Sequence, residues 1–70
     1  MQLKEGMKVR IFSYDVDGNI SKFKRGHKDY RINKIINGGK MYLLERKGYV
    51  TAFSEWDIYH LIEAGCLKAA

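Results

Sequence analysis

Apolar residues fall along this chain at two spacings. In residues 7–13, Met7, Val9 and Ile11 alternate with Lys8 and Arg10. That is the period of a strand with one face on a core. Phe12 breaks the alternation at the strand's end. Residues 30–53 are the stretch around which the rest is organised: three short apolar segments and two tight turns. Residues 30–36 hold Tyr30 and three isoleucines, a strand-like composition. Asn37, Gly38 and Gly39 follow. Asn-Gly between apolar runs marks a hairpin, because both residues accept positive φ. Residues 40–46 carry Met41, Tyr42, Leu43 and Leu44 in a row, which predicts a strand covered on both faces. Lys47-Gly48 is the second turn. Residues 49–53 close the meander, with Tyr49, Thr51 and Phe53 on one face and Val50 and Ala52 on the other.

After Phe53 the period changes. Ser54 offers a hydroxyl to a helix N-terminus, and Glu55 and Asp57 suit its positive end. Ile58, Leu61 and Ile62 recur at i, i+3 and i+4, a helical stripe, and Gly65 is a natural stop. The spacing predicts a helix from Ser54 to Gly65. The competing reading is a single turn followed by a strand through 59–62. Leu67 folds back under the helix, and residues 68–70 fray. The expected core includes Ile32, Leu44 and Trp56. Residues 1–6 are polar and are expected to fray unless Leu3 pins them. Residues 14–19 form a turn region, 20–24 a short edge strand protected by lysines, and 25–29 a loop.

The order is a strand, a long connection, a three-stranded meander and a short final element. The phrases are EGMKVRI at 5–11, YRINKII at 30–36, YLL at 42–44 and FSEWDI at 53–58. This pattern resembles the Src-homology-3-like (SH3-like) small barrels of bacterial and phage proteins, relatives of the KOW and Tudor modules. The resemblance covers residues 5–62. It implies a mainly β fold: a small five-stranded bent barrel with a short C-terminal helix, whose loops on one side bind a partner. The alternative is an α+β fold, an antiparallel meander packed on a C-terminal helix. Asp29 stands where a KOW-type strand start has a glycine. The paired tryptophan of peptide-binding SH3 domains is also absent, Trp56 standing alone, so proline-rich ligands are not expected.

Seventy residues make one domain, with its core within about residues 5–67. An apolar content of 46% argues against disorder. The chain has 13 Lys and Arg against 8 Asp and Glu, a net charge of +5, which favours polyanionic partners. The surplus is concentrated. Lys22, Lys24, Arg25, Lys28, Arg31 and Lys34 cluster with Phe23, His27 and Tyr30 among them, and Asp29 is the one acid. Cations meet phosphates and aromatic rings stack on bases, so this mixture suits nucleic acid. The binding residues expected from sequence are Lys22, Lys24, Arg25, His27, Lys28, Tyr30, Arg31 and Lys34. The competing reading is a solvated face whose aromatics point inward.

The remaining chemistry is negative. Asp15, Asp17 and Asn19 are spaced as a turn and not as an EF-hand, whose twelfth position is Glu where this chain has Gly26. His27, His60 and Cys66 lack the close ligand pairs of a zinc site. No phosphate-binding glycine loop and no nucleophile with a base is present. No cofactor and no catalysis are expected. A single cysteine excludes an internal disulfide, and with no secretory leader the expected compartment is the cytoplasm. No apolar run approaches the ~20 residues of a membrane span. The sequence therefore predicts a basic, non-catalytic binding module. Its expected partner is nucleic acid or a nucleoprotein. The alternative is an acidic protein surface, as for a small phage or mobile-element protein that docks on a host protein.

Overall fold

The computed structural model describes residues 2–12 and 26–70. It is mainly β. Strands β1 (Lys8–Phe12), β2 (His27–Ile36), β3 (Met41–Arg46) and β4 (Tyr49–Ser54) are followed by helix α1 (Glu55–Glu63) and strand β5 (Leu67–Ala69). The strands form one antiparallel sheet in the order β4-β3-β2-β1-β5. Among the described residues the sheet is unclosed, with β4 and β5 as its edges.

The turns follow from the residues in them. Asn37 (φ 56°) and Gly38 (φ 66°) adopt left-handed conformations in a 3-10 turn between β2 and β3. Lys47 (φ 53°) and Gly48 (φ 84°) make the two-residue link from β3 to β4. Two consecutive positive φ angles define a type I′ turn, whose twist matches that of the paired strands. Lys47 fills a position that usually falls to Asn, Asp or Gly.

One face of the sheet carries the core. Val9, Ile32, Leu44, Ile58 and Leu67 are buried together, with Leu3, Tyr30, Ile35, Tyr42 and Phe53 packed around them. Ile58 brings α1 onto this face. Ser54 caps α1 reciprocally: its Oγ accepts from Asp57 N at 3.1 Å, and its own N–H donates to Asp57 Oδ2 at 3.2 Å. Asp57 thus completes the capping box that more often uses Glu. The full-length helix is correct and the competing strand through 59–62 is not.

Four expectations are corrected. Residues 27–29 are not loop, because β2 begins at His27 and pairs back to Phe12, Ile11 and Arg10. Residues 68–70 do not fray. Leu67 is buried, and Ala70 N–H donates to Lys8 O at 3.1 Å as β5 pairs with β1. Among the described residues strand β3 is covered on one face and not on both: only Leu44 is fully buried, and no described element lies over the other side. Trp56 is not core, being 67% exposed. It stands two residues before Ile58, about 200° around the helix, so the face that buries Ile58 turns Trp56 to solvent. The expected turn at 14–19 and edge strand at 20–24 lie outside the described residues.

Candidate functional site

The face of the sheet opposite the core is charged, and its composition can be built from register. Residues directly opposite in neighbouring strands share a face. Lys68, Arg10 and Asp29 therefore stand side by side across β5, β1 and β2. Lys8, Arg31, Glu45 and Val50 do the same across β1 to β4. A third row holds Lys34, Leu43 and Ala52.

Lys34 reaches this face through a β-bulge. The β2–β3 ladder runs from Ile32↔Leu44 directly to Lys34↔Leu43, leaving Asn33 as the extra residue. Ile32 and Ile35 both pack on the core, although three apart. Strict alternation would put Lys34 beneath the sheet with Ile32. The extra residue re-aims it beside Arg31, the usual effect of a bulge on side-chain direction.

Charge on this face is lopsided. Lys8, Arg10, Arg31, Lys34 and Lys68 oppose only Asp29 and Glu45. Arg10 grips Asp29 with a fork, Nε to Oδ1 at 2.8 Å and Nη2 to Oδ2 at 3.1 Å. The hydrogen bond from Arg10, reinforced by its charge, holds the Asp29 carboxyl below the usual carboxylate range. Lys8 faces Arg31 directly. Like charges placed opposite each other destabilise a sheet; Glu45, opposite Arg31 on its other side, offsets one of these two cations, and the row keeps a net positive charge. At one end of the face Phe12 and His27 are cross-strand partners, with ring centroids 5.9 Å apart and planes tilted by 56°.

The residues expected from sequence divide three ways. His27, Arg31 and Lys34 share the basic face. Lys28 and Tyr30 alternate to the core side. Tyr30 is half-buried, its ring edge-on to Phe53 at 6.1 Å. Lys22, Lys24 and Arg25 lie outside the described residues. Sequence reasoning did not assign Lys8, Arg10, Phe12 or Lys68 to the site. For Lys8 and Arg10 the signal was available, since they alternate with the buried positions of β1. Lys68 carried none, because β5 is recognisable only through its pairing.

Helix α1 forms a second, acidic pole on the core side. Glu55, Asp57 and Glu63 are its acids, and it contains no Lys or Arg. Trp56 and Tyr59 are exposed on it. Tyr59 shares a hydrogen bond with Glu63, which raises its phenol above the ordinary value. Burial pushes the Cys66 thiol up, away from the thiolate that a nucleophile requires. No helix among the described residues is long and apolar enough to cross a membrane.

No protein family, no curated protein and no solved structure matches this chain.

Proposed function

We propose that the protein is a non-catalytic binding module whose basic sheet face contacts the backbone of a nucleic acid, free or within a nucleoprotein. The observation that carries this reading is the alignment of Lys8 with Arg31, beside Lys34, on an exposed face where no described layer covers them. Phosphates supply the charge such an arrangement lacks. The Phe12–His27 pair offers rings on which unpaired bases stack. The chain order also supports the SH3-like reading: β1, a long connection, the β2–β4 meander, then α1 and β5.

The test is a titration of labelled single- and double-stranded DNA and RNA at several salt concentrations. Affinity should fall as salt rises. Replacing Arg31 and Lys34 together with Ala should lower the slope of log affinity against log salt on duplex DNA by about 1.8, at about 0.9 for each phosphate contact. All sequences should weaken alike. No measurable affinity for any of the four at low salt rejects the reading.

A second reading, a protein-interaction module of the kind a phage or mobile element directs at a host protein, is favoured by Trp56. A tryptophan 67% exposed beside Tyr59 on a well-capped helix is the kind of residue that anchors protein interfaces. In that case the basic face receives an acidic protein surface.

A further inference from the structure

The two edges of the sheet are built differently. Strand β5 has three residues, one of them Lys68, and ends near the C-terminus. Short length and charge are the usual protections of an edge. Strand β4 has neither. It runs for six residues, Tyr-Val-Thr-Ala-Phe-Ser, pairs with β3 at every position without a bulge, and contains no charge and no proline. Tyr49 is 79% and Val50 51% exposed. Among the described residues nothing pairs with its outer side.

The turn fixes which backbone groups are open. A two-residue type I′ hairpin closes on a hydrogen-bonded pair, here Arg46↔Tyr49. Tyr49, Thr51 and Phe53 therefore bond to β3, while Val50, Ala52 and Ser54 point outward. Two contacts agree with this parity. Ser54 N–H is available to Asp57, and Glu55 N–H donates to Lys40 O at 2.9 Å, continuing the inward series. The N–H and C=O groups of Val50 and Ala52 remain for a further strand.

We infer that β4 pairs antiparallel with β4 of a second copy about a two-fold axis at Thr51, joining two sheets into one of ten strands. An isologous contact requires a self-complementary patch, and this strand is one. Val50 of each copy meets Ala52 of the other, which makes four backbone hydrogen bonds. On the core side Thr51 meets Thr51 and Tyr49 meets Phe53, threonine–threonine and aromatic pairs of the kind that stabilise neighbouring strands. The neutral strand brings no like charges together in a molecule of net charge +5. At the two ends of the strand, exposed Lys47 in the turn and exposed Glu55 at the start of α1 bring opposite charges to opposite ends of the antiparallel pair. An axis perpendicular to the sheet leaves both helices on one side and both basic faces on the other.

Sedimentation equilibrium should find a species of twice the 8.2 kDa chain mass. Thr51→Cys should form an intermolecular disulfide at least tenfold faster than Val50→Cys, because only residue 51 meets its own copy. The native Cys66 is buried and stays out of the reaction. Ala52→Pro removes an outward N–H and should weaken the dimer by about tenfold or more. Should that variant misfold, Thr51→Lys places two lysines on the axis from an exposed position and should have the same effect. A chain that remains monomeric at the highest concentration reached overturns the inference. So does a dimer insensitive to both substitutions, equal cross-linking at residues 50 and 51, or open-ended polymers, which a closed two-fold pair cannot produce.

Discussion

Arg10 and Asp29 show how one side-chain pair ties stability to pH. The Asp29 carboxyl titrates lower when Arg10 donates to it than in the unfolded chain. It therefore contributes stability above the ordinary carboxylate range, ~3.9 for Asp, and loses it as pH falls through the depressed value. Asp29→Asn should melt below wild type at neutral pH and converge with it in acid, as followed by circular dichroism. Parallel melting curves at all pH values would show that the fork contributes nothing. Leu44 tests the core in the same manner. It is fully buried opposite Ile32, and Leu44→Ala should cost ~2–5 kcal/mol. A domain of this size holds only ~3–5 kcal/mol in total, so chemical denaturation should find the variant at the edge of folding. Ile32 and Leu44 were legible because each sits in an apolar run between turns. Trp56 was misread because hydrophobicity alone suggested burial, whereas helical phase relative to Ile58 decides its side.

At the level of elements, local signals were reliable and distant ones were not. The meander and helix announced themselves through Asn37-Gly38, Lys47-Gly48, the capping Ser54 and the Ile58–Leu61–Ile62 stripe. Ser54→Ala removes the hydroxyl half of the reciprocal cap, leaving the backbone N–H bond to Asp57, and should cost ~1 kcal/mol, read as a lower denaturation midpoint at unchanged m-value. The start of β2 was missed because His27, Lys28 and Asp29 are all polar. They become strand only through pairing with β1, up to 19 residues away at Arg10–Asp29. Strand β5 is too short to show alternation. The bulge at Asn33 has a retrospective signature, Tyr30 and Ile32 at spacing two followed by Ile35 at spacing three. Only the β3 register reveals which residue is extra.

The described residues are electrically two-sided, with cations across the outer sheet and carboxylates on the helix. Half of this was visible in the sequence. The clustering of basic residues between 22 and 34 suggested a patch, yet a strand divides consecutive residues between two faces. Lys28 and Tyr30 accordingly separate from Arg31, while Lys8, Arg10 and Lys68 arrive from both ends of the chain. Those ends also close the core, since Cys66 and Leu67 are buried and β5 pairs with β1. Losing a buried leucine costs ~2–5 kcal/mol. A chain ending at Gly65 should therefore show the far-ultraviolet circular dichroism of a largely unfolded protein at 25 °C. Retention of the strand signal would mean that β5 is an accessory to the sheet.

The buried thiol is also a clock. Cys66 is sealed where α1 gives way to β5, and its carbonyl accepts from Phe12 N–H at 2.7 Å. A thiol reagent can reach the sulfur only during moments when this seam parts, so the labelling rate counts those moments. If the rate rises steeply with denaturant, the seam opens only when everything unfolds. If it barely responds, β5 lifts alone, in a local excursion too small to expose much surface. One native cysteine thus distinguishes a fold held as a single unit from one whose last strand breathes, with no substitution and no label built in.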